Sequence, residues 1–364
     1  MNHLVCTQCP AHFPDTDIRW RCECGGLLDL ECESKFDFDE IATRPADMWR
    51  YREAIPLRSY ENSVSLQEGF TPLSSLELDG KNILVKQDHL FPTGSYKDRG
   101  ASVLISKAKE LGVDYVVEDS SGNAGCAIAA YCASAGIECE IFVPESTSPA
   151  KLKQIEAYGA KLNLVPGDRE ATANAAMEAA QYHFYASHSW NPYFFHGTKT
   201  FAFEVCEQLR WQAPDAVIVP VGNGTLLLGC EIGFRELLAD QVIEKIPKLI
   251  GIQASGCAPL FQAFHSDAED ISEIQKQETK AEGIAIAEPV RARQILAAVR
   301  SSGGTILAVE DHETLSAHQD MARIGHYIEP TSAATIAGAR QYLQSKVDDE
   351  VIVTTFTGHG LKYQ

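Results

Sequence analysis

The sequence predicts an α/β protein whose parallel strands are covered by helices on both faces. Two observations carry this reading. Short β-branched runs alternate with longer Ala-rich stretches over most of the chain, the pattern of strands joined by right-handed helical crossovers. Several of the runs, Val217-Ile218-Val219 and Val351-Ile352-Val353 among them, are continuously apolar, as strands buried on both faces are. Composition agrees: 364 residues with 45% hydrophobic and 22% charged side chains can fill a sizeable core and exclude wholesale disorder. That length suggests about two or three domains.

In chain order, strands are expected at Ile83–Lys86, Tyr115–Glu118, Glu140–Val143, Lys161–Val165, Ala216–Pro220, Leu249–Gln253, Thr305–Val309 and Val351–Thr355. Ala124–Ala135 and Pro149–Tyr158 have the length and composition of helices. The acidic stretch His265–Glu278 reads as a solvated helix or loop. No internal repeat or low-complexity tract interrupts the pattern.

Charge narrows the partners. With 31 Lys and Arg against 50 Asp and Glu, the net charge of −19 argues against nucleic acid and anionic membranes, which need clustered cations. No apolar run approaches the ~18 residues of a membrane span. The opening MNHLVCTQCP lacks the basic and apolar regions of a signal peptide, so a cytoplasmic location is expected. The odd count of 11 cysteines does not suit a disulfide framework. Cys126, Cys132, Cys139, Cys206, Cys230 and Cys257 lie in hydrophobic segments and read as small buried hydrophobes. Cys6, Cys9, Cys22, Cys24 and Cys32 form a separate N-terminal group.

Four segments carry chemistry. In Pro92-Thr93-Gly94-Ser95-Tyr96-Lys97-Asp98-Arg99-Gly100, a turn leads into a helix with Lys97 in its first turn. The positive end of the macrodipole disfavours a protonated amine there, which a nucleophilic lysine can exploit. Asp119-Ser120-Ser121-Gly122-Asn123-Ala124-Gly125 joins a strand to a helix with more cap-competent residues than one cap requires, the geometry of an anion-binding turn. Pro220-Val221-Gly222-Asn223-Gly224-Thr225-Leu226-Leu227 is a second such turn and fits a phosphate cradle. It is neither a dinucleotide fingerprint, because Leu227 replaces the third glycine, nor a P-loop. Thr354-Thr355-Phe356-Thr357-Gly358-His359-Gly360 follows the last strand, where ligands of open α/β sheets collect; His359 reads as a loop histidine.

In order and spacing these four segments resemble the pyridoxal-phosphate enzymes of the tryptophan-synthase-β superfamily, and within it they look most like the threonine synthases. Glu68-Gly69-Phe70-Thr71-Pro72-Leu73, Asn191-Pro192-Tyr193, Gly197-Thr198-Lys199-Thr200 and Glu329-Pro330-Thr331-Ser332-Ala333-Ala334 extend the likeness over nearly the whole chain.

The resemblance implies a two-lobed pyridoxal-phosphate-dependent fold with a small N-terminal zinc-ribbon-like module at 1–30, a large lobe of 31–100 and 190–364, and a small mobile lobe at 101–189. Lys97 would hold the cofactor covalently and then transfer protons. Asn123 would bond the ring hydroxyl, and Ser120 and Ser121 would receive the substrate carboxylate. Gly222, Asn223, Gly224, Thr225 and Leu226 would bind the cofactor phosphate. Thr357 would face the ring nitrogen, with Thr355 as the alternative register; a neutral hydroxyl there would leave that nitrogen unprotonated. Cys6-x2-Cys9-x12-Cys22-x1-Cys24 would be the ribbon, either closed on zinc or vestigial. Threonine synthases usually carry Arg after Asn-Pro-Tyr/His to grip the substrate phosphate, but here Phe194 follows. Either Lys199, His188 or Lys151 holds the phosphate instead, with Phe194→Arg restoring the clamp, or the substrate is not phosphorylated.

The expected activity is conversion of O-phospho-L-homoserine and water into L-threonine and phosphate by a carbon–oxygen lyase. The alternative is a β-eliminating or β-replacing relative: a serine/threonine ammonia-lyase or a phosphoserine-using synthase. A ligand-binding protein that has lost activity fits poorly with an intact Lys97, and a nicotinamide dehydrogenase fails on Leu227. The expected partners are a small amino-acid substrate and, at most, a second copy of the chain as a homodimer.

Overall fold

The computed structural model describes residues 2–167, 169–344 and 350–363, apart from the side chains of 149–151, so Lys151 as a ligand lies outside the described side chains. The chain divides into two compact units: Met1–Gly69 with Lys97–Thr198, and Phe70–Tyr96 with Lys199–Gln364.

The first unit is built on a parallel four-stranded sheet in the order Lys161–Val165, Glu138–Pro144, Tyr115–Glu118, Phe184–Tyr185. Its strands bury Val116, Val117, Ile141 and Val143 completely, as their unbroken apolar runs require. The helix Asn123–Ala135 follows the strand Tyr115–Glu118 and ends on Gly136, whose φ of 71° supplies a left-handed C-terminal stop. Before this sheet comes an antiparallel three-stranded ribbon in the order His12–Pro14, His3–Cys6, Leu28–Glu31.

The units group residues differently from the sequence reading, which put 31–69, 97–100 and 190–198 in the large lobe. Helix packing is the reason. The helices Lys97–Glu110 and Pro192–Thr198 approach through two glycines: a Cβ on Gly100 would lie 2.3 Å from the Phe194 ring, and one on Gly197 would lie 2.0 Å from the Arg99 carbonyl oxygen. Met48, Trp49 and Ile55 meanwhile pack with Val103 of the first helix.

The second unit holds a six-stranded sheet in the order Thr305–Val309, Lys248–Ala254, Ala216–Pro220, Ile352–Thr355, Lys81–Lys86, Leu73–Leu78. All neighbours are parallel except the edge strand Leu73–Leu78, which pairs antiparallel with Lys81–Lys86. Val217, Ile218 and Val219 are fully buried at its centre. The helices Thr225–Ala239, Ala292–Ser301 and Pro330–Gln344 pack around this sheet. The acidic stretch begins at the end of the helix Pro259–His265 and continues as irregular chain. Among the described residues no helix is long and apolar enough to cross a membrane.

Candidate active site

In the second unit, the strand Ala216–Pro220 delivers the chain into Val221-Gly222-Asn223-Gly224 and then into the helix Thr225–Ala239. Gly224 takes a left-handed φ of 73°, and a Cβ on it would lie 2.3 Å from Ile295 Cδ1, so no other residue fits. No side chain caps this 15-residue helix. Its first amides and the positive end of its dipole are the donor set a phosphate needs. Thr225 Oγ1 lies 2.7 Å from the Tyr96 hydroxyl, and the Tyr96 amide donates to the Thr357 carbonyl at 2.9 Å. The structure thus joins the phosphate turn and the Thr357 loop through the residue that precedes Lys97 in the chain.

Hydrogen-bond accounting fixes the direction of the Thr357 hydroxyl. Ser332 Oγ accepts from the amides of Thr357 at 2.8 Å and Gly358 at 3.2 Å, which leaves its own proton for Thr357 Oγ1 at 3.0 Å. Thr357 Oγ1 in turn donates to Glu329 Oε1 at 3.2 Å. The hydroxyl is neutral, as the sequence indicates, but a carboxylate stands directly behind it. Gly358 makes room for that carboxylate, since a Cβ there would lie 2.2 Å from Glu329 Cδ. Glu329 was missed as a site residue although its Glu-Pro-Thr-Ser segment had been singled out. The alternative Thr355 points elsewhere, its hydroxyl donating to the Lys86 carbonyl at 3.0 Å. His359 is a loop histidine whose Nδ1 accepts from the Leu361 amide at 3.1 Å.

Lys199 corrects an expectation. Its side chain is fully buried and its Nζ lies 2.8 Å from Glu236 Oε1. An ammonium held by an internal carboxylate is not presented to a substrate phosphate.

In the first unit, Lys97 is the first residue of its helix, and its Nζ lies 5.5 Å from the centroid of the Phe194 ring, within cation–π range. Phe194 is fully buried. An arginine in its place would bury a second cation beside Lys97, so the expected rescue by Phe194→Arg does not follow. At the Ser120–Gly125 turn, a Cβ on Gly125 would lie 1.8 Å from the Ser120 carbonyl oxygen, which explains that glycine. Ser120 Oγ accepts from the Gly122 amide at 3.3 Å, Ser121 is half-buried, and Asn123 opens a 13-residue helix with no side-chain cap. This second helix terminus without a side-chain cap has the polarity that suits a carboxylate.

His188 corrects a further expectation. Its Nδ1 lies 2.7 Å from Glu118 Oε1, with both side chains buried. Burial drives the His188 pKa well below its ordinary value, and Lys97 pushes it the same way, so the imidazole is neutral rather than a ready cation for phosphate. Burial also pushes Glu118 up, to about 8. Its second oxygen is buried without a hydrogen-bond partner among the described residues. Glu118 was not singled out from the sequence, where a carboxylate ending an apolar strand was the one available signal.

The ribbon brings its four thiols together. Cys6 and Cys24 Sγ are 3.5 Å apart, Cys9 and Cys22 Sγ 3.6 Å, and all four lie within 4.8 Å of one another. A tetrahedral zinc with Zn–S of about 2.3 Å sets its sulfurs roughly 3.8 Å apart, so the donor set fits. A Cβ on Gly26 would lie 2.8 Å from Cys6 Sγ, which accounts for glycine at the second knuckle.

Comparison with known proteins decides the family. The model of the pyridoxal-phosphate dependent enzymes matches residues 64–358, most of the chain and all the cofactor motifs. The chain belongs to this family. It is similar to threonine synthase of Methanocaldococcus jannaschii, with 40% identity covering 98% of this chain and 92% of that one. Threonine synthase of Methanosarcina acetivorans is 37% identical, covering 100% and 92%. Among solved structures, L-serine ammonia-lyase of Rhizomucor miehei superposes with a TM-score of 0.69 at 24% identity, covering 79% of this chain and 93% of that one, a likeness of fold. As a family member the protein is a pyridoxal-phosphate-dependent enzyme of the lyase type. The uncapped, glycine-lined helix terminus at Thr225 fits the cofactor's phosphate.

Proposed function

We propose that this enzyme converts O-phospho-L-homoserine and water into L-threonine and phosphate. The observation that carries the reading is 40% identity to a threonine synthase over 98% of the chain. Residues 222–226 would bind the cofactor phosphate, Asn123 its ring hydroxyl, and Thr357 its ring nitrogen. When bound, the cofactor supplies an electron sink for negative charge developing on the substrate carbons. Lys97 would hold the cofactor, and its Nζ is the group that would take the substrate's α-proton and return protons later in the reaction. Ser120, Ser121 and the amides opening the Asn123–Ala135 helix receive the substrate carboxylate, which fixes the bond to be broken relative to that amine. Phe194 covers one side of the amine with an apolar ring. Elimination releases the γ-phosphate, and addition of water places the hydroxyl on the β-carbon.

A second reading, β-elimination or β-replacement on serine, threonine or phosphoserine, is favoured by the same Phe194. Of the cations expected to hold a substrate phosphate, Lys199 is bound to Glu236 and His188 to Glu118. Assaying the purified holoenzyme against phosphohomoserine, phosphoserine, serine and threonine tests both. Phosphate and threonine from phosphohomoserine support the first. Ammonia or a replacement product from the other substrates, with phosphohomoserine inert, puts the second in its place.

For the ribbon we propose a structural zinc on Cys6, Cys9, Cys22 and Cys24. Elemental analysis should find about one metal per chain, the stoichiometry of a four-thiolate site. Metal-free protein with four titratable N-terminal thiols would decide for a vestigial ribbon.

A further inference from the structure

We propose that the N-terminal ribbon is a positioning element of the active site: Trp20 and Asp15 fix the helix Pro192–Thr198, whose Phe194 covers Lys97. The inference rests on the reading of Lys97 as the reacting amine, and on contacts within the first unit.

Two sets of contacts tie the ribbon to the segment 185–194. Trp20 is 7% exposed and stands edge-on to Tyr185 and Trp190, with ring centroids 5.1 and 5.0 Å away and interplanar angles of 86° and 90°. That geometry favours the aromatic quadrupoles as well as burial. Asp15, equally withdrawn from solvent, accepts on its carbonyl from the Tyr193 hydroxyl at 3.3 Å. Its carboxylate meets Arg58 and, at 3.6 Å, the fully buried Lys107, whose ammonium in turn lies 5.2 Å from the Tyr193 ring centroid. Lys107 belongs to the helix that Lys97 begins. The ribbon therefore grips both helices that meet at Gly100 and Phe194.

The apolar core agrees. Leu4, Cys22 and Leu28 of the ribbon belong to one cluster with Leu104, Tyr193 and Phe194. A module hung on a linker would bury its own small core and leave the active-site helices to theirs. Here one core serves both; Trp20 adds its edge-on contacts to Tyr185 and Trp190, just ahead of the helix Pro192–Thr198, and Asp15 holds Tyr193, the residue next to Phe194.

The test uses holoenzyme and reads binding of L-threonine, the product of the proposed reaction, through the change in cofactor absorbance, alongside kcat and KM. Trp20→Leu should weaken binding and raise KM about tenfold, the loss of two edge-on aromatic pairs, with bound cofactor unchanged and kcat altered much less. Trp20→Phe should restore binding to within about twofold. A Trp20→Leu protein with a lowered melting temperature but unchanged binding and KM overturns the proposal. If Trp20→Leu does not fold, Tyr193→Phe decides: binding weaker by about two- to fivefold is expected from the lost bond to Asp15, and unchanged binding overturns the proposal. Wild type that binds L-serine but not L-threonine would instead sink the threonine-synthase reading, and the same comparison would then be made with serine.

Discussion

Lys97 and Lys199 each stand where a helix begins, one in each compact unit, and their surroundings differ in kind. Lys199 is fully buried with a carboxylate 2.8 Å from its Nζ. Lys86 repeats the arrangement, fully buried at 2.7 Å from Glu204. Lys97 is only half-buried, and a fully buried aromatic ring lies over its amine. Lys199 and Lys86 are tied to internal carboxylates, whereas Lys97 meets the face of an aromatic ring, and that difference suits the first two to holding the fold and the last to chemistry. The residues just before them do not foretell this difference: Lys97 follows Gly94-Ser95-Tyr96 and Lys199 follows Gly197-Thr198.

The largest effect should come from Lys97. Lys97→Ala should abolish turnover and leave the melting temperature nearly unchanged, since the residue is half-buried. Borohydride reduction of wild-type holoenzyme followed by peptide mapping should find the cofactor on Lys97. A label on Lys199 or Lys86 would break the comparison at its root.

Next comes Lys199, where stability should move more than chemistry. Lys199→Ala removes the fully buried cation of the pair with Glu236, and breaking a buried pair by removing one partner costs about 3–5 kcal/mol. Lys199→Met combined with Glu236→Leu should recover most of the loss, because an apolar pair of similar volume carries no desolvation penalty. Denaturant melts of the single and double variants measure this. A Lys199→Ala protein as stable as wild type, with a raised KM for a phosphorylated substrate, would return Lys199 to the role the sequence suggested.

How much was legible follows the same division. The strands Tyr115–Glu118, Lys161–Val165, Ala216–Pro220 and Thr305–Val309 lie where apolar periodicity puts them. Ala216–Pro220, buried at every position, has no polar face to blur the pattern. The ribbon strands and the edge strand Leu73–Leu78 were missed, being short or half-solvated and stabilised by partners rather than by their own composition. The backbone-built turns were readable because glycine is demanded by sterics that leave a mark in sequence: Gly224 by its φ and Ile295, Gly125 by the Ser120 carbonyl. Side-chain partners were not. That His188 belongs to Glu118, 70 residues away, and Lys199 to Glu236, 37 residues away, is a fact of tertiary structure with no local signature.

The smallest effect, and the sharpest probe of the surroundings of Lys97, concerns Glu118. Its carboxyl is fully buried and faces His188, Asp119, Lys97 and Arg169; burial outweighs the cations and raises its pKa from an ordinary 4.5 to about 8. A group whose folded pKa is raised contributes stability that is complete below its unfolded value and is lost as pH rises through the folded one. Glu118 therefore weakens the folded state progressively between about pH 4.5 and pH 8, and Glu118→Gln, which keeps the shape and can still hydrogen-bond His188, should remove that loss. His188 has the opposite sense, losing stability as pH falls below its ordinary 6.5, but it is present in both proteins and its contribution largely cancels in the difference. The melting temperature of Glu118→Gln relative to wild type should thus rise from pH 5 to pH 8.5, by about 2–4 °C for each kcal/mol recovered. Turnover should change by less than about tenfold, since the amide alters the field at Lys97 without touching the substrate. A difference in melting temperature that stays flat across this range would mean that Glu118 is ionised throughout. The first unit would then hold a paired charge beside Lys97, much as the second holds one beside Lys199.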